Sequence, residues 1–245
     1  QTCALPIFQF KNKWKTAMQE ALNFIVFSIP PVTRVYITSI LVVFALIKLG
    51  IVHISTLIFD VDAIFSGEVW RLITSFLVVS ENFNVFFVFN ILFTLHVSDT
   101  LEQISRSWLH YLWTLFVGWA SILFISFFVH FIGYVPGELP LLASTLNFFL
   151  LYLWSRRARD QNVGMMLVIV IKVLYLPWVY LIIDTLFTQD SIDDIYGLIV
   201  GHIYYWLEDV FPLYYKYHPI GLPQWLHDLV FRPIHLDQGI ELEPA

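Results

Sequence analysis

The sequence predicts an all-α polytopic membrane protein: six transmembrane helices, with an interfacial helical loop between the first two. Three observations carry that prediction. Of the 245 residues, 58% are hydrophobic and only 13% charged, with a mean hydropathy of +0.73, which is more apolar surface than a soluble domain of this length can bury. Apolar runs of about 20 residues, enough to cross a bilayer, occur six times. The loops between these runs alternate in charge.

The first run, 33–52, is entered through Pro30 and Pro31, which stop any preceding helix and leave Thr33 as its expected N-cap. The second covers 84–101, the third 108–132 and the fourth 139–154. The fifth, 165–187, contains Pro177 and should kink there. The sixth covers 192–207.

Lys11, Lys13, Lys15 and Arg34 precede the first span, Arg106 follows the second, Arg156, Arg157 and Arg159 follow the fourth, and Lys216 and Arg232 follow the sixth. The other loops carry acids: Asp60, Asp62, Glu68 and Glu81 in the long loop, then Glu138, then Asp190, Asp193 and Asp194. By the positive-inside rule both termini are cytosolic. One spurious or missed span would invert every loop after it.

At the N-terminus, residues 1–17 form an arm whose first seven read as the translation of a common sequencing adapter. On that reading 1–7 are a sequence artefact and Met18 is the expected start. The competing reading keeps 8–17 as a basic cytosolic arm or the tail of a targeting peptide. A membrane domain then covers 18–212 and a cytosolic tail 213–245. The single cysteine, Cys3, permits no intramolecular disulfide. The net charge of -6 says little as a global number, because the sign of the charge changes along the chain, and no basic surface for a nucleic-acid partner is indicated.

Between residues 54 and 79, Ile64, Phe65, Val69, Trp70, Leu72, Ile73, Phe76 and Leu77 alternate with Asp62, Ser66, Glu68, Arg71 and Thr74. That mixture reads as a helix lying in the bilayer interface. Trp70 and Arg71 fit this depth, the guanidinium donating to loop carbonyls or lipid phosphates; the plain alternative is an ordinary anchor.

On the sixth span Gly197 and Gly201 lie four residues apart, on one helical face, where they remove bulk for close approach of a neighbouring helix. Asn90 and His96, six apart on the second span, face different directions, so no shared metal site is expected and Asn90 is assigned an interhelical hydrogen bond. Lys172 falls in the fifth span and is expected to line a wet cavity or, near the cytosolic end, to snorkel. Ser144, Asn147, Asn90 and His202 are the candidates to line a polar cavity. No metal or cofactor is implied.

Five stretches closely resemble the Derlin family of rhomboid pseudoproteases, and they occur in that family's order: Ser28-Ile-Pro-Pro-Val-Thr-Arg34, Val69-Trp-Arg-Leu-Ile-Thr-Ser-Phe76, Tyr152-Leu-Trp-Ser-Arg-Arg157, Leu176-Pro-Trp178 and Gly201-His-Ile-Tyr-Tyr-Trp-Leu-Glu-Asp-Val-Phe-Pro212. The resemblance covers about residues 18–226. It implies a rhomboid-like six-span fold in the endoplasmic reticulum membrane. It also implies work with a membrane ubiquitin ligase complex and a cytosolic AAA+ ATPase to extract misfolded protein substrates for degradation. Membrane lipid is the further partner, and a homo- or hetero-oligomer is compatible with the pattern.

Within that resemblance a protease would need a serine in a Gly-x-Ser-Gly turn on the fourth span and a histidine three residues before the first glycine of the sixth. Here Ser144 has no flanking glycine, and Asp194 stands where the histidine would be. His202, more than two turns further along, is a poor substitute. The expectation is therefore a protein with no catalytic residues. The tail 232–245 is acidic and has only Gly239, unlike the glycine-rich basic motif with which several Derlins bind the ATPase, so recruitment of that ATPase is expected to be indirect. Two other classes stay open: a scaffold subunit of another organellar membrane complex, and an active intramembrane protease.

Overall fold

A computed structural model describes residues 29–80, 82–132, 142–165, 169–187 and 192–230. The expectations for 1–17, Met18, Glu81, Glu138, Asp190, Arg232 and the tail beyond 230 fall outside these residues. The described chain is mostly helical. Helix α1 covers Pro31–Lys48, and the long loop that follows holds a 3-10 turn, Ile54–Thr56, and the short helices α2, Val61–Phe65, and α3, Arg71–Thr74. Then come α4, Val85–Ile104, α5, Trp108–Phe131, and α6, Leu142–Arg157. A two-stranded antiparallel hairpin follows, β1, Asn162–Met165, and β2, Ile169–Lys172, leading through a 3-10 turn, Val173–Tyr175, into α7, Leu176–Phe187. Helix α8, Ile192–Tyr205, runs on as a π-helical turn, Trp206–Val210, and then α9, Phe211–Tyr215; α10, Gln224–Val230, closes the described chain.

Helix α6 is enclosed along most of its length, from Leu142 to Ser155, which puts it at the centre. It packs against α4, α5, α7 and, most extensively, α8, and Phe149, Leu150, Leu151, Leu153 and Trp154 are fully enclosed. The outer helices show the reverse. On α1 Val35, Leu41 and Val42, and on α5 Phe116, Phe124, Phe128 and Phe131, point outward, a surface that needs an apolar solvent. Helices α1 and α5 are long and apolar enough to cross a membrane.

The start of α1 departs from the sequence reading. Pro30 is extended because a proline follows it, Pro31 occupies the first helical position, and the helix therefore begins before Thr33 can cap it. Glu102 of α4 supplies the cap from 70 residues away. Its two carboxylate oxygens accept from the backbone N–H groups of Val32 at 3.0 Å and Thr33 at 2.7 Å. Ordinary caps open the next two long helices: Asn84 accepts from Phe87 N–H at 2.7 Å and Ser107 from His110 N–H at 3.2 Å.

Two further expectations are corrected. The fifth run is not one kinked helix, because its first half forms the hairpin. Pro177 falls in the first turn of α7, where its missing N–H costs nothing. Lys172 accordingly ends β2, exposed, instead of lying in a span. The long loop is likewise not a single interfacial helix. Gly67, at a φ of 114°, breaks the path between α2 and α3 with a backbone conformation that side chains disfavour.

Removing the Glu102 carboxylate leaves one buried and one half-buried N–H group without that acceptor. Glu102→Ala should lower the free energy of unfolding in detergent micelles by about 1.5–3 kcal/mol, and Glu102→Gln, which keeps one carbonyl oxygen, by less. A thermal or denaturant midpoint equal to wild type in the alanine variant would show that α1 does not depend on this cap.

Candidate functional site

The site candidates are arranged along α6 and on the long loop. Three polar pairs mark successive levels of α6. Ser144 Oγ donates to Asp194 Oδ1 on α8 at 2.8 Å, and Asp194 is buried. One turn on, Asn147 Nδ2 donates to Asn90 Oδ1 on α4 at 3.1 Å, an oxygen that also accepts from Thr94 Oγ1 at 3.3 Å. Lower still, the Tyr152 hydroxyl and His202 Nδ1 are 2.6 Å apart.

Ser144 and His202 are thus not partners. Tyr152, which holds the imidazole, is eight residues beyond Ser144, about 12 Å along the helix axis. His96 meets neither asparagine; its ring lies edge-on to Trp154, with centroids 5.3 Å apart. Among the described residues no group of three His, Cys, Asp or Glu side chains gathers that could hold a metal.

Of the four candidates for a cavity lining, Asn147 borders a crevice among the described residues. The crevice is narrow, bounded by Phe93, Thr94, Val97 and Leu150, and has no room for a water molecule. Ser144, Asn90 and His202 do not line it. Ser144 Oγ, Asn90 Oδ1 and His202 Nδ1 each make a contact to a neighbouring helix.

Gly197 and Gly201 lie where α8 meets α6. A β-carbon at Gly197 would run into the Thr145 carbonyl oxygen and come within 2.8 Å of Phe148 Cβ; one at Gly201 would come within 2.9 Å of Tyr152 Cβ. A third close approach was not read from the sequence. Gly118 of α5 lies under the Phe149 ring, whose Cε1 would be 2.5 Å from an added β-carbon. A lone glycine among apolar residues carries no spacing signal, which is why it escapes notice.

At the far end of α6 and α8 the π-helical turn brings in two carboxylates that sequence reasoning also passed over. Glu208 Oε1 lies 3.2 Å from His110 Nε2 of α5, and Asp209 Oδ2 accepts from Arg157 Nε at 3.1 Å and Nη2 at 3.0 Å. The Tyr204 hydroxyl reaches Thr114 Oγ1 at 2.9 Å. Together these tie α8 to α5 and α6.

On the long loop, Arg71 is buried and fans its donors inward. Nη1 donates to the carbonyls of Ser55 at 2.7 Å and Ile58 at 2.9 Å, while Nε donates to Glu68 Oε2 at 2.6 Å. Trp70 Nε1 donates to the Thr56 carbonyl at 3.1 Å, and Thr74 Oγ1 to that of Leu57 at 2.9 Å. Three neighbouring side chains thus satisfy the strand of carbonyls that a lipid-facing loop would otherwise leave bare. Trp119 Nε1 of α5 donates to the Leu72 carbonyl at 2.9 Å and ties this knot to the bundle.

Comparison with known proteins places this arrangement. The model of the Der1-like family matches residues 29–221. The chain belongs to the Der1-like family. It is similar to a probable derlin-2 homolog of Dictyostelium discoideum, 32% identical over 207 residues, covering 83% of this chain and 80% of that protein. It is also similar to Derlin-1 of Arabidopsis thaliana, 30% identical over 84% of this chain and 76% of the relative. Derlin-1 of Drosophila melanogaster is 31% identical over 74% and 72% respectively. With two spanning-length apolar helices in the described residues, this Der1-like chain is a membrane protein.

Two outcomes follow from the geometry. Arg71→Ala should open the loop, seen as faster limited proteolysis within 54–58, and Arg71→Lys should restore only part of the protection because one ammonium cannot reproduce the planar fork. Equal cleavage of all three proteins would leave the loop held by something else. Along the seam, Gly197→Ala should cost about 1–3 kcal/mol of stability and more than Gly118→Ala, since a backbone carbonyl cannot swing aside as a phenyl ring can. Ile199→Leu, on the exposed face of α8, should leave the midpoint unchanged.

Proposed function

We propose that this protein is a non-catalytic, rhomboid-like member of its family that assists the passage of misfolded proteins out of the endoplasmic reticulum for degradation. The observation that carries this reading is the Ser144–Asp194 pair. A hydroxyl donating to a carboxylate has no imidazole to take its proton and return it to a leaving group, and neither glycine of the nucleophile turn is present. The pair serves as a buried interhelical tie in the place where a catalytic dyad would be.

In this reading six helices, α1, α4, α5, α6, α7 and α8, cross the reticulum membrane with both termini cytosolic. The same reading has the bilayer locally thinned around the bundle, and each unsatisfied backbone group spared from hydrocarbon saves several kcal/mol for a polar chain in transit. Water enters when the Asn90–Asn147 contact between α4 and α6 parts, which turns the closed crevice into a lateral wet path. A membrane ubiquitin ligase complex marks the emerging substrate, and an AAA+ ATPase, reached through another subunit, supplies the pull.

The test pairs a degradation chase of a misfolded lumenal substrate with glycosylation-site topology mapping. Gly201→Leu should abolish clearance while six crossings and cytosolic termini persist, and Ile199→Leu should clear at the wild-type rate. Purified protein should remain unlabelled by a fluorophosphonate probe and should leave rhomboid model substrates intact. Labelling lost in Ser144→Ala would overturn the non-catalytic reading, and wild-type clearance by Gly201→Leu would overturn the role of the seam.

A further inference from the structure

At the end of α6 two adjacent arginines have different fates. Arg157 is paired with Asp209, and Glu208 is taken up by His110. Arg156 makes no ion pair or hydrogen bond among the described residues. Its Nε is buried with no acceptor, and its guanidinium lies over the face of Tyr152, with Cζ 4.9 Å from the ring centroid.

The same tyrosine carries the imidazole of His202 on its hydroxyl, 2.6 Å from Nδ1, and Tyr152 is itself buried. One rigid phenol thus holds a guanidinium on its face and an exposed imidazole at its tip. In the tautomer whose Nδ1 accepts from the Tyr152 hydroxyl, Nε2 of this exposed side chain carries the N–H. A buried cationic donor without an acceptor is costly, and the nearby carboxylates already have partners.

We propose that Arg156, Tyr152 and His202 form a subsite for the phosphate of an anionic phospholipid. The guanidinium fork matches two phosphate oxygens, and the imidazole supplies a third donor. A free phosphate would satisfy the same donors. The surface beside them points to a lipid: Ile195, Ile199 and Ile203 of α8 are exposed and recur every four residues, an apolar track running from His202 along which an acyl chain can lie. Basic pockets between helices at the membrane edge suit such headgroups. This subsite is independent of the Ser144–Asp194 pair and of any role in degradation.

Native mass spectrometry of the full chain in a neutral detergent tests the assignment, titrating dioleoyl-phosphatidylserine, dioleoyl-phosphatidylcholine and inorganic phosphate in separate arms. One phosphatidylserine should be retained with an affinity about tenfold above phosphatidylcholine, and Arg156→Gln should lose about that factor. His202→Gln should lose less, and Arg159→Gln, an exposed arginine 3.7 Å from Asp160, should bind as wild type. Equal retention by Arg156→Gln and wild type overturns the subsite, and an equal loss in Arg159→Gln shows only diffuse attraction. Displacement of the lipid by millimolar inorganic phosphate overturns the lipid as ligand. If Arg156→Gln fails to fold, Arg156→Lys decides: partial loss supports the planar fork, and wild-type retention overturns it.

Discussion

The approach of α8 to α6 at Gly197 and Gly201 brings two backbones together with almost no side chain between them, and the other contacts of the bundle are arranged around that line. In a bilayer the hydrophobic effect does not drive helices together, so association rests on close packing and on polar ties between helices. Both are present here at once. The glycines admit the Thr145 carbonyl and the β-carbons of Phe148 and Tyr152. The Ser144–Asp194 and Tyr152–His202 contacts flank the seam above and below, so neither helix can slide or rotate without breaking a polar contact. Because α6 is placed by this seam, the Phe149 ring falls on Gly118 and Asn147 reaches Asn90.

The periphery solves a different problem, that of satisfying backbone groups where chain geometry is irregular. Two charged side chains do most of it. Glu102 accepts from the opening N–H groups of α1, and Arg71 donates to the carbonyls of Ser55 and Ile58. An anion at a helix start and a cation among loop carbonyls are the two electrostatically favourable placements for buried charge near backbone dipoles. Each is 6% exposed, enough enclosure for the interaction to count and for its loss to matter.

Much of this is written in local sequence, and some of it cannot be. The helical segments stand out because spanning length and charge alternation act over tens of residues, and the Trp70-Arg71 pair shows itself as polarity where apolar residues surround it. The four-residue spacing of Gly197 and Gly201 names a face, though not the helix that meets it. What escapes is non-local. Thr33 looks like a cap until Glu102 arrives from a distant helix, and Glu102 looks like an ordinary loop acid until α1 is placed beside it. The hairpin at 162–172 is hidden because a run such as Ile169-Val-Ile-Lys172 is apolar enough to pass for helix, and only its β-branched content hints otherwise.

The three glycines under α6 differ in what blocks them, and this sets which of their positions can change in company. At Gly118 the obstacle is the far edge of the Phe149 ring, so a larger residue there is compatible with a smaller one at 149. Those two sites are free to drift as a pair. At Gly201 the nearest atom is a β-carbon, and at Gly197 it is a carbonyl oxygen of the main chain. No choice of side chain on α6 removes a carbonyl. Among the described residues no side chain can shrink to make that room at Gly197, and change there must wait for the helix itself to move.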